Sequence, residues 1–249
     1  MSIHHAFEIL IILHISSGAP GLIGFWLPVI ARKGSPLHRR SGQIFVGLML
    51  ATATFAMAMA TLTILEPVAT HPKLAAHALL GHPEIIRGIF GWMMLFLAML
   101  TINLAVYGRA CIANRSLHAR NRSPLNLALQ IALTAAALNC AIQGVRIEQW
   151  MMVGISVVGF ATVGTNLWFM LRPKPGPFEW LTEHIKALVG TGISVYTAFF
   201  AFGAVRFIPE LALSPALWSI PLVTGLSLIL YHQHAVTAPL RHARKKAAA

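Results

Sequence analysis

The sequence predicts an all-α integral membrane protein. It reads as one domain over 1–249, a bundle of about seven transmembrane helices with the N-terminus outside and the C-terminus cytoplasmic. Three observations carry this reading. Of 249 residues, 57% are hydrophobic and 10% are charged, where a soluble domain carries about a quarter charged residues. The apolar residues form long continuous runs, each near the roughly 20 residues needed to cross a hydrocarbon core. The cations are segregated onto alternate connections. Transmembrane strands would instead give short alternating segments, and no polar stretch is long enough to enclose a separate soluble core.

The first span, 6–31, contains Pro20 and Pro28 and lacks a Lys/Arg-rich start, so it reads as a retained helix and not as a signal peptide. The second, 42–65, follows the basic stretch ARKGSPLHRRSG. A longer connection follows, EPVATHPKLAAHALLGHPEIIRG, whose centre LAAHALLG suits a short interfacial helix between Pro72 and Pro83. The third, fourth and fifth spans are 88–112, 124–145 and 149–171. The last two meet across a tight turn, where Arg146 and Glu148 are expected to pair. The prolines of PKPGP at 173–177 cannot continue the fifth helix. The sixth and seventh spans are 183–207 and 215–234.

A net charge of +12 would suit nucleic acid, but its distribution argues against that. Arg32, Lys33, Arg39, Arg40, Arg109, Arg115, Arg120, Arg122, Arg172, Lys174, Lys186, Arg241, Arg244, Lys245 and Lys246 fall on one side, 15 of the 19 cations. Five of the seven glutamates fall on the other. Lys/Arg excess marks cytoplasmic loops, and an odd number of spans satisfies it. The expected partner is the lipid bilayer, through anionic headgroups; no base-reading aromatic companions accompany the basic runs, so nucleic acid is excluded. Cys111 and Cys140 read as small buried apolar residues. The methionines, Met93, Met94, Met151 and Met152 among them, read as core filling before copper ligands.

The stretch HISSGAPGLIGF puts His14, Gly18, Gly21 and Phe25 on one helical face. Glycines there let a backbone or a flat ligand approach closely, so His14 faces a tight interface. It is either a hydrogen-bonded packing histidine or a proton- or quinone-handling one. At 1.5 Å per residue it lies roughly 12 Å inside the outer boundary. Thr52 and Thr54 of the second span and Ser194 and Tyr196 of the sixth reach that level. His184, His232 and His38 share another depth, within about 5 Å of the cytoplasmic boundary. Imidazoles from separate helices at one depth are a candidate ligand set for haem b or a transition metal; the alternative is that they are simply solvated. His71, His77 and His82 show no regular metal spacing. Asn103 and Tyr107 share a face of the third span and are expected to hydrogen-bond between helices, and Asn139, Gln143 and Arg146 form a polar seam along the fourth. No HEXXH, P-loop or GxSxG motif occurs, and there is no aspartate, which argues against zinc hydrolysis of that kind and P-loop chemistry.

HISSGAPGLIG, LHRRSGQIFV and EHIKALVGTGISVYTAFFAFG together resemble the bacterial multi-pass membrane family catalogued as domain of unknown function 2306. The matching residues are His14; His38 and Arg39 with Gly42; and His184 with Gly190 or Gly192, Thr197, Ala198, Phe199 and Gly203. The resemblance implies a bacterial inner-membrane location and brings no established activity. Three functions remain open. One is a redox protein, with haem b or a metal at His184, His232 and His38, and a quinone or proton pocket at His14, Gly18, Gly21, Tyr196 and Thr197. The second is a transporter of protons, metal ions or a small solute. The third is a non-catalytic accessory protein.

Overall fold

The computed structural model describes residues 2–75, 81–203 and 215–248. Among them there is no strand. The described residues form seven long helices: α1 (Ile3–Ile30), α2 (Pro36–Leu65), α3 (Met94–Ala113), α4 (Pro124–Arg146), α5 (Trp150–Leu171), α6 (Glu179–Ala198) and α7 (Pro215–Ala248). Among the described residues, five helical segments are long and apolar enough to cross a membrane: α1, α2, the segment Pro83–Ala113 that ends in α3, α4 and α5. Their outward surface is the kind that lipid solvates. Ile23, Ile30, Ile131 and Trp168 are all more than 70% exposed, and an apolar surface of that extent is foreign to a water-soluble monomer. The chain is a multi-pass membrane protein.

The helix starts follow local chemistry. Ser2 and Ser35 cap α1 and α2, accepting from the N–H of His5 and His38, and Pro36 occupies the first turn of α2, where its missing N–H costs nothing. This cap starts α2 six residues before the apolar run itself (36 against 42). Gly34 turns the chain between α1 and α2 at φ 78°, a conformation that favours glycine. The expected interfacial helix LAAHALLG falls partly on residues 76–80, outside the described residues; around it stand one-turn helices at Pro67–Thr70, Pro72–Ala75 and Pro83–Ile86.

The chain divides into two compact units, residues 1–103 with 128–164, and residues 104–127 with 165–249. In the first, α1 lies against α2, with the rings of Phe25 and Phe45 5.5 Å apart. A Cβ at Gly18 would meet Thr52 at 3.2 Å, and one at Gly21 would overlap the end of Met49, so the two glycines set how closely these helices approach. Gly159 of α5 packs on the ring of Phe96 and on Ala137 in the same way.

The α4–α5 turn corrects one expectation. Among the described residues no ion pair joins Arg146 to Glu148, and both are exposed. The main chain closes the turn instead. Gln149 N–H donates to Gly144 C=O at 2.8 Å and Glu148 N–H to Val145 C=O at 3.3 Å, with Glu148 at φ 57°. This is the Schellman arrangement, in which a left-handed residue returns the chain over the last carbonyls. Glycine usually holds that position; here Glu148 does.

In the second unit, Gly108 of α3 receives α6 closely, since a Cβ there would stand 2.8 Å from Leu188 and 3.0 Å from Ala187. Gly190 meets Leu104. Helix α7 runs antiparallel to α6. Gln233 Nε2 donates to Thr182 C=O at 3.0 Å, and Gly225 packs against Ile193. The end of α5 is held by Arg122, whose Nε donates to Met170 C=O at 2.7 Å, and Arg172 pairs with Glu179 across the PKPGP linker at 2.8 Å. Cys111 and Cys140 are free thiols, both fully buried.

Candidate functional site

A buried polar cluster of the second unit lies where α3 meets the first turns of α6. Tyr107, fully buried, donates its hydroxyl to Glu183 Oε2 at 2.6 Å. Lys186 Nζ donates to the same carboxylate oxygen at 2.5 Å and to Thr165 Oγ1 at 3.1 Å. The Lys186 and Glu183 side chains are only 23% and 16% exposed. The ammonium also stands 5.7 Å from the Tyr107 ring centroid, within the range of a cation–π contact.

Local sequence explains the arrangement. Glu183 and Lys186 are three apart on α6, so one helical face carries both. Gly108, beside Tyr107, lets that face come within hydrogen-bond reach of the phenol. His184 belongs to the same junction. Its Nδ1 donates to the Gly108 carbonyl at 2.9 Å, so the residue that admits α6 also orients the imidazole. A carboxylate shared by a phenol and an ammonium, next to an oriented imidazole, can accept, hold and pass protons.

The expected site residues fall as follows. His14, Gly18, Gly21 and His38 belong to the first unit, and His184, His232, Tyr196 and Thr197 to the second. His14 Nδ1 donates to Thr52 C=O at 3.0 Å, the threonine level that helix rise assigned to it, and Thr52 Oγ1 bonds Ser17 Oγ at 2.9 Å. His38 Nδ1 donates to Pro28 C=O at 3.0 Å. His232 stands level with His184, because the contacts Gln233–Thr182 and Gly225–Ile193 fix the register of α7 on α6. Thr197 is buried, and the Tyr196 ring lies 6.4 Å from that of Phe200. Among the described residues no three His, Cys, Asp or Glu side chains are grouped to hold a metal ion. Gln143 Nε2 donates to Asn139 Oδ1 at 3.5 Å, along the seam of α4.

Two features were missed by sequence reasoning. Glu183 is one of the two acids on the basic side, and its spacing from Lys186 is the one signal of the cluster that the sequence carries. His71 was set aside for want of metal spacing. It is packed between the rings of Phe7 and Phe90, at 5.1 and 4.8 Å, and this burial, outside the spans, lowers its pKa to about 4.

No protein-family model, no curated protein and no solved structure matches this chain. The geometry of the site is therefore the basis for a functional reading.

Proposed function

We propose that this protein carries out a proton-coupled activity in the bacterial inner membrane, with Glu183 as the proton-exchanging group and Tyr107, Lys186, Thr165 and His184 as its partners. The observation that supports it most is the single carboxylate oxygen held by both a buried phenol and an ammonium. Ionisable groups inside a helical membrane protein are costly and default to function. The seven-span topology, with the N-terminus outside and α6 and α7 crossing, belongs to the same proposal. It rests on the segregation of the cations and on the family resemblance of His14, His38 and His184.

One observation favours a redox form of this activity, with a quinone as electron partner. His14, His38 and His184 each direct Nδ1 to a main-chain carbonyl, the kind of bond that orients metal-bound histidines. The donor chemistry of His184 thus fits a transition metal, whose role would be one-electron transfer. A haem sandwiched between His184 and His232 does not fit. Helices α6 and α7 touch at Thr182–Gln233 and at Gly225–Ile193, and helices in contact have axes about 8–10 Å apart, too close to place a haem between two axial imidazoles.

The test is proton entry into proteoliposomes carrying a pH-sensitive dye under an imposed membrane potential. Wild type is expected to exceed Glu183→Gln, and equal rates would refute the proton reading. Metal analysis and reduced-minus-oxidised spectra of the purified protein and of His184→Ala test the redox form. A metal-free, colourless wild type would remove it.

A further inference from the structure

The second unit carries a cleft of about 640 Å³ between the end of α3 and the start of α4. Its wall on the helices is apolar, formed by Val106, Ala110 and Leu125, and its polar end holds Arg109, Arg120 and Asn126. No carboxylate lines it. We infer that this cleft binds an anionic phospholipid, with the headgroup phosphate between Arg109 and Arg120 and the glycerol and first acyl carbons along Val106, Ala110 and Leu125. The inference is independent of the proton-exchange reading.

A topology signal needs only cations near the bilayer surface. This site has more. Arg122, also at the cleft, is committed to the carbonyls of Met170 and Arg172 at 2.7 and 3.1 Å, which pins the short 3₁₀ turn His118–Arg122 that carries Arg120. Asn126 is only 3% exposed and donates to Asn121 C=O at 2.9 Å. Asn114 donates to Asn121 Oδ1 at 3.1 Å. The floor is thus a hydrogen-bonded asparagine network, while the guanidinium groups of Arg109 and Arg120 stay exposed. Guanidinium pairs match phosphate oxygens in a fork geometry. The apolar wall decides between sources of phosphate. A soluble phosphate has no use for Val106 and Leu125, whereas a lipid covers them, and basic pockets between membrane helices commonly take anionic headgroups.

The test uses the full chain in nanodiscs and measures the preference for spin-labelled phosphatidylglycerol over spin-labelled phosphatidylcholine at low salt. Wild type is expected to prefer phosphatidylglycerol. Removing one arginine by Arg120→Gln should cut the preference about fivefold, and Arg109→Gln with Arg120→Gln about thirtyfold. Arg115→Gln, which does not line the cleft, should leave it unchanged. If the double variant does not fold, the single Arg120→Gln, an exposed residue, decides the question. A double or single variant that behaves like Arg115→Gln overturns the proposal, as does a wild type with no preference. So does displacement of phosphatidylglycerol by millimolar inorganic phosphate, which would assign the cleft to a soluble anion.

Discussion

Replacing Tyr107 with Phe removes one hydroxyl and little else. The ring is fully buried and keeps its edge-on contact with Phe169 at 6.5 Å, so the packing term is unchanged. The lost bond is a short one to a carboxylate, 2.6 Å, and bonds to charged groups contribute about 1.5–3 kcal/mol. Interhelical bonds in membranes reach about 1.7 kcal/mol. Glu183 also retains Lys186, so it is not stranded, and the cost should be about 1–1.5 kcal/mol. Lys186→Met is different in kind, because it strips the cation from a carboxylate that is 16% exposed. Breaking a fully buried pair costs about 3–5 kcal/mol; partial hydration should bring this to about 2–3 kcal/mol. In the Lys186→Met background the phenol still donates to Oε2, so Tyr107→Phe should then cost more than alone, with a coupling of about 1 kcal/mol. Unfolding in mixed micelles by increasing SDS measures all three variants. A Tyr107→Phe variant as stable as wild type, with strictly additive effects, would refute the account of the cluster.

Further outcomes follow from single positions. Glu148→Gly should stabilise the protein by up to about 1 kcal/mol, since φ 57° favours glycine at the end of α4; an unchanged unfolding midpoint would count against the Schellman reading. Gly159→Ala forces a methyl onto the Phe96 ring and Ala137 and should cost about 1–3 kcal/mol. Gly21→Ala overlaps the end of the Met49 side chain and otherwise meets Leu48 Cβ at an ordinary 3.5 Å, so it should cost less, and the reverse order would contradict the packing described for the first unit. His71 has a folded pKa of about 4 against an ordinary 6.5, so the unfolded chain binds its proton first. Stability from this residue is therefore complete above pH 6.5 and lost as pH falls toward 4, by no more than about 2–3 kcal/mol. His71→Phe should flatten that window of the pH–stability curve in detergent.

The helices were legible because a bilayer imposes length and composition on them. The apolar runs ended within a few residues of the observed ends of α1, α4 and α5. The early start of α2 came from the Ser35–Pro36 cap, which a hydropathy run does not register. Depth counting found the His14–Thr52 contact because helix rise is constant. It could not find the α4–α5 closure, where glutamate takes a glycine position and the main chain does the bonding. Nor did it weigh Glu183. A charge near a helix start reads as a solvated boundary residue until Gly108 is seen to bring Tyr107 against it.

Infrared difference spectroscopy of the protein in bilayers, recorded between two pH values, tests proton exchange at Glu183 most directly. The account predicts a protonated-carboxyl C=O band that changes with pH in wild type, disappears in Glu183→Gln and shifts in Tyr107→Phe, where the hydrogen bond to it is lost. A band that survives Glu183→Gln unaltered, or no pH-dependent carboxyl band at all, would contradict it.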